Sequence, residues 1–525
     1  MGEIGSELKN ETIPCDRVQR QTSSPKIMNT EGRIQSSATR INFHTSTENP
    51  MKNAHRFYID GEWVEPETLR KHDVIDPSTE QVIGTIAIGS AADAERAIKA
   101  ARNAFAGFSR TTKDDRLALL KRVLTILKRR KDEIGDMISR EMGAPLVMAR
   151  AEQAGLGAAH FEETIRAFKT FDFEYMQGST RIVHEPIGVV AMITPWNWPI
   201  NQIVCKVAPA LATGCTMVLK PSEIAPFNAV ILAEIMHEAG VPKGVFNLVQ
   251  GDGPTVGAVF ASHPDVDMVS FTGSTRAGIA VALAAAPTVK RVHQELGGKS
   301  PNIILRSADL AAAVRAGVRR CFANSGQSCN APTRMLVPLE RIDEASAVAA
   351  REAAALVVGP PTDPRTDIGP VASASQFEKI QALIEKGIAE GAELAAGGPG
   401  RPSHLRSGYY VRPTVFSRVT NSMTIAREEI FGPVLSIIGY ETEDDAVAIA
   451  NDTPYGLASF IHGAQSEART LASRLRTGSV RLNGPAWDGA APFGGYKQSG
   501  NGREYGKFGL HEFTEIKGIV GYASD

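Results

Sequence analysis

The chain has 525 residues, with 57 Lys and Arg against 58 Asp and Glu and a formal net charge of −1. That length favours two or more domains with large cores, and near neutrality gives no electrostatic ground for a nucleic-acid partner. No run approaches the roughly 18–20 apolar residues that span a bilayer, so no membrane partner is expected.

Residues 1–52 are rich in Ser, Thr, Asn and charge and lack apolar periodicity. Such a composition cannot bury enough surface to offset ordering and reads as a disordered N-terminal extension. Glu3, Glu7, Glu11 and Asp16 argue against an acid-poor transit peptide, and the missing apolar h-region argues against secretion. The default expectation is a cytoplasmic protein. Met51 precedes the strand-like Arg56-Phe57-Tyr58-Ile59 and is expected to be the natural start; an intact-mass measurement tests this. From Ala91 to Phe105, and again from Lys113 to Met142, apolar residues recur at helical spacing, which predicts amphipathic helices.

Phe171–Pro186 reads as a β-hairpin turning near Gly178. Short β-rich runs then alternate with helical ones. The strands are Gly188–Ile193, Thr216–Leu219, Val245–Val249 and Met268–Phe271. The helices are Gln202–Thr213, Phe227–Ala239 and one from about Thr275. Alternation of this kind implies βαβ units and a parallel sheet, with ligands expected at the carboxyl ends of the strands. A second α/β stretch starts at Pro301–Leu305, continues through a helix over Leu310–Asn324, and runs to about Arg481. Phe513–Tyr522 reads as a terminal strand that pairs, with the hairpin, across a subunit interface.

The chemistry concentrates around Cys329, in Ser325-Gly326-Gln327-Ser328-Cys329-Asn330-Ala331. Small neighbours let a substrate approach the thiol closely. Glu295, in Gln294-Glu295-Leu296-Gly297-Gly298-Lys299, is the candidate general base. A thiolate adding to an aldehyde yields a tetrahedral oxyanion that needs donors aimed at it. The Asn197 amide, held between prolines and indoles in Pro195-Trp196-Asn197-Trp198-Pro199, is one; the Cys329 backbone N–H is the other. Cys205, Cys215 and Cys321 read as packing, with Cys205 a possible substrate-tunnel residue, and Cys15 lies in the extension. The spacing of the five cysteines is irregular and contains no CxxC, and no histidine cluster occurs, so neither a disulfide framework nor a metal site is expected. His293 reads as structural, on the same strand face as Glu295.

Cofactor signals are separate. Phe271-Thr272-Gly273-Ser274-Thr275-Arg276-Ala277-Gly278 follows a strand and opens a helix, a setting suited to a phosphate. Lys220 and Glu223, in Lys220-Pro221-Ser222-Glu223, sit where they can bond ribose hydroxyls. The carboxylate there disfavours a 2′-phosphate, and so favours NAD over NADP. Alone, the two could be an exposed ion pair. Glu429 and Phe431, in Glu428-Glu429-Ile430-Phe431-Gly432-Pro433-Val434, could hold the nicotinamide ribose and ring.

From about Phe57 to Tyr522 the chain resembles the NAD-dependent aldehyde dehydrogenases. The motifs above carry the resemblance, with Pro492-Phe493-Gly494-Gly495-Tyr496-Lys497-Gln498-Ser499-Gly500 and Arg503-Glu504-Tyr505-Gly506. It implies an α/β fold with a Rossmann-like cofactor-binding domain (53–170 and 187–297) and an α/β catalytic domain (298–500). A small β oligomerisation element (171–186 and 501–525) and homodimers or homotetramers are also implied. Cys329, Glu295 and Asn197 match nucleophile, base and oxyanion donor. The implied NAD contacts are Ile193, Thr194, Pro195, Trp196, Lys220 and Ser222, then Glu223, Gly253, Gly257, Phe271 and Gly273, and finally Ser274, Leu296, Gly297, Glu429 and Phe431. Arg276, where the family more often has an acid, is expected to face solvent. Trp198, Asn201, Gln202, Cys205, Ser328 and Trp487 occupy the implied tunnel positions without selecting one aldehyde class. The implied reaction is oxidation of an aldehyde to its acid. A coenzyme A-acylating relative is disfavoured because it needs no water-activating base. A thiol esterase is disfavoured by the cofactor motifs.

Overall fold

The computed structural model describes residues 52–523. The expectations for the N-terminal extension, Met51 as a start and Cys15 fall outside those residues.

Five strands, Val189–Ile193, Thr216–Lys220, Phe246–Leu248, Met268–Thr272 and Arg291–Glu295, form the parallel centre of an eight-stranded sheet. Their near-continuous burial suits strands covered on both faces. Across the sheet they run Arg291–Glu295, Met268–Thr272, Val189–Ile193, Thr216–Lys220, Phe246–Leu248. The chain therefore builds outward in one direction from Val189–Ile193, then returns to build in the other. That reversal is a topological switch point, where open α/β sheets bind ligands. Register places Ile193 beside both Lys220 and Phe271, and Glu295 beside Thr272, so these residues share the carboxyl edge.

The sheet is not wholly parallel, as alternation alone would have it. Phe57–Ile59 and Glu62–Val64 extend one side antiparallel, and Gly500–Asn501 closes the other beside Gln294 and Glu295. Phe57–Ile59 is the strand-like run read from sequence, but its antiparallel pairing, and the short strands Glu62–Val64 and Gly500–Asn501, carry no periodicity to read. For the same reason the segment from 501 onward is not one β-element. Gly506–Glu512 is a helix, and only Thr514–Ile519 joins the hairpin Glu174–Gln177 and Thr180–Pro186 in a three-stranded sheet. Gly178, at φ +63°, supplies the left-handed residue of the hairpin turn.

The second sheet has seven strands in the order Glu393–Ala396, Thr414–Ser417, Val434–Tyr440, Arg334–Pro338, Pro301–Ile304, Ala458–His462, Ser479–Leu482, parallel except for the first. The long helical pattern from Lys113 breaks at Arg130 into Lys113–Arg129 and Lys131–Met142. Periodicity survives because both helices bury a face in one core. The guanidinium of Arg130, 2.7 Å from both Glu133 and Glu234, ties the break to the helix Phe227–Glu238. Among the described residues no helix is long and apolar enough to cross a membrane.

Candidate active site

The loop that presents Cys329 is set by backbone handedness. After the helix Leu310–Phe322, Asn324, Ser325 and Gly326 follow at φ 54°, 58° and 73°. Left-handed backbone costs about 1–2 kcal/mol at a residue with a Cβ, so Asn324 and Ser325 require support. A Cβ on Gly326 would lie 2.1 Å from the carbonyl oxygen of Gly432, so only glycine fits there.

Asn324 supplies much of the support. Its Nδ2 donates to the carbonyls of Asn197 (2.8 Å) and Gln327 (3.2 Å), and its Oδ1 accepts from Gln153 Nε2 (2.9 Å). Asn197 Nδ2 donates to the same Gln327 carbonyl at 3.0 Å. Trp198 Nε1 donates to Ser328 Oγ at 2.9 Å. The Asn197 segment and the Cys329 loop, 130 residues apart in sequence, are thus laced together. An amide nitrogen carries two hydrogens, so Asn197 keeps one for a substrate oxygen.

Glu295 ends its strand buried, with neither carboxylate oxygen hydrogen-bonded. His293, two residues earlier on the same face, stands with Nε2 3.5 Å away. Burial holds this histidine near pKa 4, hence neutral. Nearby, Lys206 and Glu504 form a buried ion pair at 2.6 Å, and Cys205 Sγ donates to Glu504 at 3.3 Å. Burial, then the charge of Glu504, raises Glu295 well above the usual carboxylate range. Burial, then the charges of Glu295 and Glu429, pushes the Cys329 thiol up. Both shifts disfavour the charged forms of the two groups.

Cys329 is half-buried where two cavities meet. The first, of about 200 Å³, is lined by Pro195, Trp196, Asn197, Gly273 and Ser274 together with Glu295, Leu296, Gly297, Glu429 and Phe431. A Cβ on Gly297 would stand 2.2 Å from a Glu429 carboxylate oxygen, and the N–H of Gly298 donates to that carboxylate at 3.0 Å. Phe431, itself left-handed at φ 60°, meets Trp196 edge-on with centroids 5.5 Å apart. Leu296 closes against Gly278. Ser274 caps the helix Thr275–Ala285 by accepting from the N–H of Ala277.

The other candidate cofactor residues do not line this cavity; they continue the carboxyl edge of the sheet. Ile193, Phe271 and Lys220 end neighbouring strands, and Thr194 donates its N–H to the Lys220 carbonyl. Lys220 is buried, not half of an exposed ion pair. Its Nζ donates to the carbonyls of Pro221 and Gly251, at 2.8 and 2.7 Å, and to Glu223 at 3.3 Å. Ser222 Oγ accepts from the N–H of Ile224. Gly253 and Gly257 bound a single turn, and a Cβ on Gly257 would sit 3.9 Å from the Lys220 chain. The edge suits a polar ligand: the hydroxyls of Thr194 and Thr272 are buried without partners, and a helix N-terminus faces the same side.

The second cavity, of about 480 Å³, is lined by Trp198, Asn201, Gln202, Ser328 and Trp487, as the tunnel expectation had it. Cys205 is not among its walls. Its thiol lies behind, against Glu504, because a helix buried on all sides turns it into the core. Arg276 is exposed.

Several residues escaped sequence reasoning. Gln376 Nε2 donates to the carbonyls of Ile430 and Phe431, and Lys379 Nζ to that of Glu429, fixing the loop over the first cavity. Asn324 and Gln153 carried no signal at all. Lys206 carried one: it is the only charge in the apolar helix Pro199–Thr213, and a buried lysine implies a partner. Among the described residues no group of three His, Cys, Asp or Glu could hold a metal ion.

A profile of the aldehyde dehydrogenase family matches residues 63–519. A 3-succinoylsemialdehyde-pyridine dehydrogenase from a Pseudomonas species is 57% identical over 474 residues, covering 90% of this chain and 99% of that protein. Among solved structures, aldehyde dehydrogenase C of Pseudomonas syringae, a mutant complexed with NAD+ and octanal, is 55% identical with a TM-score of 0.89. The match covers 90% of this chain and 98% of that one. A betaine aldehyde dehydrogenase of Staphylococcus aureus in complex with NAD+ is 37% identical with a TM-score of 0.87, over 92% and 98% of the two chains.

Proposed function

Because the chain belongs to the aldehyde dehydrogenase family, we propose that it oxidises an aldehyde to the carboxylic acid with NAD, through Cys329, Asn197 and Glu295. One observation carries this reading. The Cys329 side chain opens onto both cavities, and Asn197 and Glu295 line the first with it.

On this reading the aldehyde enters through the wider cavity. Cys329 Sγ bonds to the carbonyl carbon, the thiol proton leaves to Glu295, and the carbonyl oxygen takes the negative charge. The free N–H of Asn197 Nδ2 and the backbone N–H of Cys329 receive that oxygen. NAD, when bound, takes up the hydride, and so removes two electrons. The acyl group remains on sulfur as a thioester. Glu295 gives the thiol proton to solvent, then takes a proton from the water that adds, and returns it to sulfur as the C–S bond breaks, which releases the acid and restores the thiol. A carboxylate raised by burial is a strong enough base for this work near neutrality.

The residues fit the cofactor. Gly297 leaves room that a Cβ would fill, unpartnered hydroxyls stand at Thr194 and Thr272, and Glu223 sits where it would repel a 2′-phosphate. The NAD+ complexes of two similar structures support the same cofactor here. Residues 53–170 and 187–297 then serve as the NAD-binding domain and 298–500 as the catalytic domain. Residues 171–186 with Thr514–Ile519 would join identical chains. Ile516, 68% exposed on that sheet, supports this last role.

Reduced nicotinamide, followed by absorbance against a panel of aldehydes with NAD and with NADP, tests the proposal. Turnover with NAD is expected; none with any aldehyde refutes it. Glu295→Gln should still release one equivalent of reduced cofactor in a burst, while steady turnover falls by about 10²–10⁴. Unchanged steady turnover removes Glu295 from the base role.

A further inference from the structure

The wider cavity holds charge that the chemistry at Cys329 does not use. Arg320, Arg481 and Glu152 all line it, two guanidiniums against one carboxylate. The arginines arrive from separate elements. Arg320 is in the last turn of the helix Leu310–Phe322. Its neighbour Arg319 points elsewhere, 2.5 Å from Glu352. Arg481 lies on the strand Ser479–Leu482, between Val480 and Leu482, which pack on the core beneath that sheet. Side chains alternate along a strand, so Arg481 is turned to the opposite face.

Among the described residues neither guanidinium forms a hydrogen bond or an ion pair, whereas those of Arg130, Arg150, Arg306, Arg319 and Arg474 each meet a carboxylate. Arg481 lies over the Phe460 ring, 6.0 Å from its centroid, and interacts electrostatically with Tyr505 on the same cavity. Arg320 is exposed at the cavity mouth and Arg481 is half-buried; partial desolvation by the cavity walls, then the like charge of Arg481, lowers the basicity of Arg320, and Glu152 opposes this. His160, on the same wall, is held near pKa 4 by burial and adds no charge. The remaining walls include Trp198, Trp487 and Phe493, so the guanidiniums face a partly apolar space.

We propose that Arg320 and Arg481 form a tail-recognition site that selects aldehydes carrying a carboxylate at the end remote from the carbonyl. Two guanidinium forks match two carboxylate oxygens, and an apolar setting strengthens each charge-assisted bond. An alkyl tail in the same place covers the half-buried Arg481 without pairing it and offers Arg320 no partner. The inference rests on the aldehyde oxidation proposed above.

The test is a matched series of straight-chain aldehydes, each with and without a terminal carboxylate, assayed with NAD on the full chain. At the best length the carboxylate should raise kcat/KM by about tenfold or more, chiefly through KM, and added salt should shrink the advantage. Arg320→Gln and Arg481→Gln should each lower the carboxylate-to-alkyl ratio of kcat/KM by about tenfold, and Arg481→Lys should restore part of it. Inhibition of alkanal oxidation by dicarboxylates of the same lengths gives a second measure on the unaltered protein. Equal or poorer kcat/KM for the carboxylate series, or variants that lower both series alike, would overturn the tail site while leaving aldehyde oxidation standing. No turnover of either series would overturn the function beneath it.

Discussion

Asn324 makes the sharpest test of how the site is held. Replacing it by alanine removes three hydrogen bonds: two donated to the carbonyls of Asn197 and Gln327, and one accepted from Gln153. Each contributes about 1 kcal/mol net. Gln153, wholly buried, is left with only the Met142 sulfur at 3.5 Å, a weak acceptor. Alanine at φ 54° adds about 1 kcal/mol more. The sum is about 3–5 kcal/mol, a large part of the stability of an ordinary domain. Asn324→Gly loses the same bonds without the backbone term, so it should be the more stable variant by about 1 kcal/mol. Urea unfolding followed by tryptophan fluorescence measures both, since Trp196 and Trp198 flank Asn197. In activity, Asn197 keeps its bond to Gln327 but its backbone loses a tether. A fall in kcat of about 10–100-fold is expected, less than the 10²–10³ typical of deleting an oxyanion donor outright. Equal stability of the alanine and glycine variants would refute the left-handed cost. Full kcat in a variant destabilised by about 3 kcal/mol would show that the network braces the fold without positioning Asn197.

Two further predictions read other parts of the molecule. Gly297→Ala places a methyl 2.2 Å from a Glu429 oxygen, so the carboxylate must leave the Gly298 N–H; NAD affinity, measured by fluorescence titration, should weaken about tenfold, and an unchanged Kd would detach Gly297 from the cofactor. Glu141, fully buried, accepts hydrogen bonds from Phe227 and Asn228, and burial pushes it up to about 8. Its neutral form is favoured in the fold, whereas the unfolded chain ionises in the ordinary carboxylate range. Stability is therefore whole at low pH and is lost as pH rises toward 8, by about 2–3 kcal/mol between pH 6 and pH 8. Glu141→Gln should flatten that slope in urea midpoints, and an equally steep slope in the variant would refute the assignment.

Much of the scaffold is legible because its signals are local. The four strands from Val189 to Thr272 announce themselves as short apolar runs between helices, and each appears within a residue or two of its expected bounds, whereas the polar strand Arg291–Glu295 carries no such run. Cys329, Glu295 and Asn197 lie in motifs whose composition alone suggests chemistry, and the structure brings all three onto one cavity. The break at Arg130 and the short strand Gly500–Asn501 were hidden, since each depends on a partner more than a hundred residues away.

The amino-acid order by itself determined which elements form and which side chains could act, because periodicity, glycine placement and the small neighbours of a thiol are properties of adjacent residues. Tertiary structure alone decided that Asn324 would brace Asn197 and that Cys205 would turn from the tunnel to Glu504. It alone set the guanidiniums of Arg320 and Arg481 on one cavity with no hydrogen bond or ion pair among the described residues. Those outcomes depend on hydrogen-bond geometry and desolvation between segments distant along the chain, and no local pattern encodes which segments will meet.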